Sequence, residues 1–294
     1  MKRSWRIIMG LAALAAILIT LSACGGSNGF TANREINVIS RETGSGTRGA
    51  FIELVGLEVR SADGSVIDTT TSEAYIANGT SIVMSSVLAN TYAIGYISLG
   101  SLNDTVRAVP INGVMPSTTS VQNGTYPIFR AFNIAVPPGI SGLAQDFIDF
   151  VLSAEGQEIV AGRYIPVNSN APAYAGAHGM TGTVVVLGST SVAPVMEHLK
   201  EAYEAINPGV VIEVQSAGSS AGINAARQGT ADIGMSSREL SVAELAEVAS
   251  IPIAYDGLAV IVNVENTVST LTTEQVRQIF AGETTRWNQV PHND

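Results

Sequence analysis

Short apolar runs alternate along the chain with stretches whose apolar residues recur at helical spacing, and polar, glycine-rich turns separate them. Residues 36–39, 93–98, 183–187, 210–214 and 233–235 predict strands, and 251–262 predicts two strand-like runs. Residues 47–55, 82–89, 192–206, 221–228 and 272–280 predict helices, the third with Pro194 in its first turn. Leu143, Phe147, Ile148, Val151 and Leu152 predict two helices over 141–161, broken near Ser153. Residues 167–182 are rich in small residues, Pro and Gly and read as a linker. Strands alternating with helices predict an α/β protein with mainly parallel sheets.

The beginning of the chain breaks this pattern. Lys2, Arg3 and Arg6 precede an apolar stretch, residues 7–21, which closes on Leu21-Ser22-Ala23-Cys24. That stretch is shorter than the roughly 20 apolar residues of a membrane span and has the layout of a secretory signal. Leu-Ser-Ala-Cys resembles the lipobox of bacterial lipoproteins, in which the Cys becomes the lipidated first residue. The resemblance implies a signal peptide over 1–24, a lipid anchor on Cys24 and an extracytoplasmic chain held to the cell membrane by a flexible tether, 25–33. A buried Cys within an uncleaved anchor is the plain structural alternative.

Composition narrows the function classes. Of 294 residues 46% are hydrophobic and 14% charged, enough for a sizeable core and unlike a disordered chain. The net charge of −10 argues against a nucleic-acid partner, which calls for a basic footprint. Cys24 is the one cysteine, so neither an intramolecular disulfide nor a Cys/His metal cluster is expected. His178, His198 and His292 are scattered. No cofactor or metal is implied.

The chemistry lies in four polar turns: 40–48 (Ser-Arg-Glu-Thr-Gly-Ser-Gly-Thr-Arg), 188–191 (Gly-Ser-Thr-Ser), 218–222 (Gly-Ser-Ser-Ala-Gly) and 234–238 (Gly-Met-Ser-Ser-Arg). Each follows a strand-like run, and the first three lead into a helix. A helix N-terminus presents unpaired N–H donors and about half a unit of positive charge. Glycine lets the backbone approach a ligand, and Ser or Thr adds a short donor. Several such ends converging make an anion site without a basic surface, and Arg41 could add a bidentate grip on a tetrahedral oxyanion. Any one turn alone is equally a set of helix caps. Two motif matches compete. Gly44 to Gly49 satisfies G-x-G-x-x-G with Asp63 downstream, but three polar residues separate it from its strand. Gly218 to Gly222 satisfies G-x-S-x-G, which would make Ser220 a hydrolase nucleophile, yet only His292 follows it.

At 36–51, 93–102 (AIGYISLGSL), 142–160, 186–240, 253–263 and 271–287, the chain resembles the phosphate-binding lipoproteins of bacterial ABC importers. In that family the stretch like 183–294 comes first and the stretch like 34–167 second. The chain therefore resembles a circular permutant, with 168–182 joining the family's usual ends. The implied fold is the two-lobed periplasmic-binding-protein type II: one lobe continuous over about 107–263, the other split between 34–106 and 264–294. The resemblance implies that Thr190, Ser191, Ser219, Ser220 (favoured over Ser219) and Ser237 from one lobe, with Arg41, Ser45, Gly46 and Thr47 from the other, hold inorganic phosphate. It also implies that Arg41 is the one full positive charge on the anion. The better-known pattern has an Asp where this chain has Ser237, accepting the phosphate proton, and another where it has Thr43, steadying the Arg. Asp256 or Glu42 is the expected substitute carboxylate. The implied function is a monomeric, non-enzymatic receptor that delivers phosphate to the membrane permease subunits of an ABC transporter. A serine hydrolase, or a binder of molybdate, tungstate or sulfate, is the alternative.

Overall fold

A computed structural model describes residues 29–60, 66–176 and 179–290. The expected signal peptide, Cys24, tether residues 25–28, Asp63, His178 and His292 lie outside them. The first strand, β1 (Asn37–Arg41), runs through a turn into α1 (Gly46–Val55). Ser45 caps α1 by accepting from the N–H of Arg48 at 3.3 Å. Next come a hairpin, β2 (Glu58–Arg60) and β3 (Val66–Asp68), then β4 (Tyr75–Ala77), α2 (Thr80–Leu88) and β5 (Ala93–Ser98). The middle of the chain gives β6 (Arg107–Ala108), α3 (Thr118–Gln122), β7 (Phe129–Val136), α4 (Gly142–Val151), α5 (Ala154–Ala161) and β8 (Ile165–Pro166). The last part gives β9 (Thr181–Gly188), α6 (Ala193–Ile206), β10 (Gly209–Ser216), α7 (Ser219–Gln228), β11 (Ile233–Ser236), α8 (Val242–Leu245), β12 (Ala249–Val262) and α9 (Thr273–Phe280).

The main sheet runs β10-β9-β11-β7-β12-β5-β1-β4. It is mixed, which corrects the expectation of mainly parallel sheets. Each end is parallel (β9 with β10 and β11, β1 with β4 and β5), whereas the middle pairs β11/β7, β7/β12 and β12/β5 are antiparallel. The cause is β12. The two expected runs are one 14-residue strand, with a register shift between Pro252 and Ala254 where proline withdraws an N–H from the ladder. Up to Gly257 it pairs with β7; from Leu258 it pairs with β5. β12 thus crosses from one lobe to the other. At the expected lobe limits, 107 and 263, β6 pairs with Ile261 and Val262 on the β5 side.

Each lobe has its own core. Phe132, Phe147, Val151, Val186, Leu199 and Ile212 bury together on one side; Ile39, Val83, Ile97, Ala259 and Ile261 on the other. Against the second core Phe51 stacks on Tyr96 (centroids 3.8 Å) and meets the edge of Phe280 (4.8 Å). The Tyr96 hydroxyl pairs with Ser40 Oγ (2.9 Å) and accepts from the N–H of Arg41 (3.2 Å), so this core fixes the end of β1.

The beginning and end of the described fold lie side by side. Ile36 N–H donates to Thr285 O (2.8 Å), Arg286 Nη1 to Asn33 O (2.7 Å) and Asn288 N–H to Ala32 O (2.6 Å). Ala32 and Asn33 are therefore held against Arg286 and Asn288, and the expected free tether stops short of them. The joining segment is pinned as well. Tyr174 donates its hydroxyl to Asp146 Oδ2 (2.5 Å) and its N–H to Glu155 Oε2 (2.7 Å), and Ala154 N–H donates to Pro172 O (2.8 Å). Tyr174→Phe is expected to lower stability by about 1 kcal/mol in chemical denaturation. A midpoint equal to the wild type would mean that this anchor carries no weight.

Candidate functional site

Strand ends of both lobes deliver hydroxyl-bearing turns to one buried cluster. Arg41 ends β1, and its side chain is buried (1% exposed), so its charge needs partners inside the protein. Nε and Nη2 donate to the two oxygens of Glu42, each at 2.7 Å. Nη2 also donates to Thr190 Oγ1 of the opposite lobe (3.0 Å), and Nη1 to Thr80 Oγ1 (3.4 Å). Glu42 in turn accepts from the N–H of Gly79 (3.2 Å). Burial pushes the Glu42 carboxyl up, but the hydrogen bonds and charge of Arg41 and the Gly79 N–H outweigh it and hold the group below its ordinary value. The Arg-steadying carboxylate missing at Thr43 is thus supplied one residue earlier.

Beside this pair Thr47 Oγ1 and Ser191 Oγ meet at 2.7 Å across the lobes. Thr80 Oγ1 lies 3.4 Å from both Thr190 Oγ1 and Ser191 Oγ. Deeper, Ser189 Oγ donates to Ser237 Oγ (2.9 Å), and Ser237 N–H donates to Ser219 Oγ (3.1 Å). Ser220 N–H donates to Gly44 O (3.1 Å), another contact between lobes. Gly46 fills the remaining space. A Cβ there would lie 2.3 Å from Ser219 Oγ, 2.9 Å from Ser219 Cβ and 2.8 Å from Ser237 Oγ. Thr47, Thr80, Ser189, Ser191, Ser219 and Ser237 are all buried. The helices α1, α2, α6 and α7 all begin at these turns, so their positive N-terminal ends face the cluster together.

Of the expected residues, Arg41, Gly46, Thr47, Thr190, Ser191, Ser219 and Ser237 come together. Ser45 is buried beside them and its hydroxyl is used in capping α1. Ser220, expected as the preferred serine of its turn, is partly exposed and its Oγ accepts from Arg238 Nη2 (3.4 Å), while Ser219 is the fully buried serine. Neither expected carboxylate acceptor is free. Both Glu42 oxygens serve Arg41. Asp256 Oδ1 accepts from Ser98 Oγ (2.9 Å) and Gly100 N–H (3.3 Å), and Oδ2 from Arg130 Nη2 (3.3 Å). Burial pushes Asp256 up to about 6 against the opposing pull of Arg130, Ser98 and Gly100.

Sequence reasoning missed Thr80, Ser189 and Arg130. Thr80 follows Gly79 between β4 and α2, the same strand–glycine–hydroxyl–helix order as the other turns, hidden because β4 is too short to be seen in the pattern. Ser189 lies within a quoted turn. Among the described residues the one histidine, His198, lies on the exposed surface of α6 beside Glu201 and offers the Gly218–Gly222 turn no hydrolase base. Among the described residues no His, Cys, Asp and Glu group could hold a metal ion, and no helix is long and apolar enough to cross a membrane.

A family model described as a PBP superfamily domain matches residues 12–155 and 173–294. The phosphate-binding protein PstS 2 of Streptococcus agalactiae is 45% identical over 273 residues, 92% of either chain. That of Streptococcus pneumoniae is 43% identical over 287 residues, 96% of this chain and 98% of the relative. The crystal structure of a phosphate ABC transporter's phosphate-binding protein from Streptococcus pneumoniae superposes with a TM-score of 0.70 at 44% identity, covering 88% of this chain and all of that one. With its two α/β lobes and this likeness along nearly its whole length, the chain belongs to the PBP superfamily and, within it, to the PstS family.

Proposed function

We propose that the protein captures one inorganic phosphate between its lobes and hands it to the membrane permease of a phosphate ABC importer, making and breaking no bond. The observation that carries this reading is the meeting of Arg41, Thr190, Thr47 and Ser191 across the lobes, from positions far apart in the chain. The hydroxyls that now bond one another would turn to the anion's oxygens. Arg41, already fixed by Glu42, supplies the charge, and the N–H groups of Gly46 and Thr47 point along α1 toward it. Short donors in a dry site offset the anion's lost hydration. Because they are shared between lobes, the ligand favours the closed state, as a hinge receptor requires.

The lipid anchor on Cys24, the extracytoplasmic location and a monomeric receptor belong to the same reading. So does the exchanged segment order. It is supported by the adjacency of Ala32–Ile36 and Thr285–Asn288, the place where the wider family's chain would run on without a break.

Calorimetric titration of the protein with phosphate, in parallel with sulfate and molybdate and an ester turnover assay, tests the function. Saturable one-to-one phosphate binding without turnover is expected. Ester hydrolysis lost in Ser220→Ala, or preference for another oxyanion, would overturn it. Thr80→Val is expected to weaken phosphate about fivefold, about 1 kcal/mol, by removing one of the donors around Arg41. Unchanged affinity in the same titration would place Thr80 outside the site.

A further inference from the structure

Arg130 bonds none of the cluster's hydroxyls, yet it is a nearly buried full charge (6% exposed) that reaches the backbone of one cluster residue. It sits on β7 opposite Asp256 of β12. One arm, Nη1, donates to the backbone carbonyl of Ser237 at 3.0 Å. The other, Nη2, donates to Asp256 Oδ2 at 3.3 Å. Nε finds no acceptor among the described residues, so each of the two contacts rests on a single arm.

Both ends of this bridge are informative. Ser237 presents its N–H and hydroxyl to Ser219 and Ser189 inside the cluster. Its carbonyl is an acceptor, and an acceptor turned toward an anion would repel it. Arg130 holds that oxygen as its acceptor. At the other end, Asp256 stands two residues before Leu258, where β12 changes partner from β7 to β5. Its second oxygen accepts from Ser98 and Gly100, at the end of β5 in the other lobe. Gly100 is itself packed against the Tyr164 ring, where a Cβ would come within 2.6 Å of the hydroxyl oxygen. One buried chain of contacts therefore runs from the anion turn to the strand that crosses between lobes.

We infer that Arg130 is a positioning residue for anion binding, which keeps the Ser237 carbonyl turned away from the ligand and ties that turn, through Asp256, to the interlobe crossing. This rests on the phosphate reading above. A plain buried ion pair would serve only stability, and its loss would be repaired by neutralising both partners. A positioning role would not be repaired, because the Ser237 carbonyl still loses its charged donor.

The test compares the wild type with Arg130→Gln, Asp256→Asn and the double variant, each titrated with inorganic phosphate in a calorimeter and melted without phosphate. The double variant is expected to regain most of the melting temperature lost in Arg130→Gln and still bind phosphate at least tenfold more weakly than the wild type. Wild-type affinity in the double variant overturns the inference and leaves the phosphate reading intact. A wild-type protein that takes up no phosphate overturns both. Should the double variant not fold, Arg130→Lys decides. Its ammonium lacks the planar fork that places the two contacts on separate nitrogens, so at least threefold weaker binding is expected and wild-type affinity overturns the role.

Discussion

Gly46→Ala is expected to weaken phosphate binding at least a hundredfold, about 2.7 kcal/mol, while leaving the lobes folded. Gly46 is the first residue of α1 and has no positive φ, so alanine suits its backbone and favours the helix. The conflict is with the other lobe. The added methyl would meet Ser219 Oγ at 2.3 Å and Ser219 Cβ at 2.9 Å. Rotating the hydroxyl cannot relieve the second contact, so the lobes must stay apart. Contacts such as Thr47 to Ser191 at 2.7 Å are then lost, and with them the shared grip on the anion. Phosphate titration paired with a melt in phosphate-free buffer checks this. A lowered melting temperature would point to the fold instead, and wild-type affinity would mean that the lobes do not close on Gly46.

Arg41→Ala is expected to reduce phosphate affinity about a thousandfold, about 4 kcal/mol. Two effects add. The anion loses its fully charged donor, and Glu42, whose two oxygens bind Arg41, is left as an uncompensated carboxylate beside it. Removing both charges separates these effects: Arg41→Ala with Glu42→Gln is expected to recover about tenfold. Equal affinities for the single and double variants would mean that Glu42 does not face the anion's field. The pair also explains how a protein of net charge −10 can take up an anion. The field at the site is set by the buried guanidinium of Arg41, by that of Arg130 beyond it and by four helix N-termini, and the surface charge is screened by solvent.

Most of the individual elements were legible because each lobe buries one face of its helices and strands, and the period of burial is written into the apolar residues. α4 and α5, split at Ser153, follow the expected break, since Ser153 caps α5 by accepting from Gly156 N–H. β7 was not legible. Arg130 and Asn133 interrupt its apolar pattern, yet both are buried, with the Ser237 and Arg238 carbonyls and Asp256 accepting from them. Such satisfaction comes from partners more than a hundred residues away, which no local pattern reveals. The mixed sheet was hidden for the same reason: β12 reads as two runs, and only its partners show that it is one strand serving both lobes. The site was legible as a set of turns with common chemistry. Which serine of Ser219 and Ser220 faces inward was not, because adjacent residues in the first turn of α7 point in different directions and only the packing of Gly46 selects one.

The most direct measurement of the central claim is a crystal structure of the protein grown with phosphate. It should show a single tetrahedral anion at Arg41, with the hydroxyls of Thr47, Thr190, Ser191, Ser219 and Ser237 within about 3 Å of its oxygens. Phosphate bound elsewhere, or lobes closed with these hydroxyls still paired to one another, would contradict it.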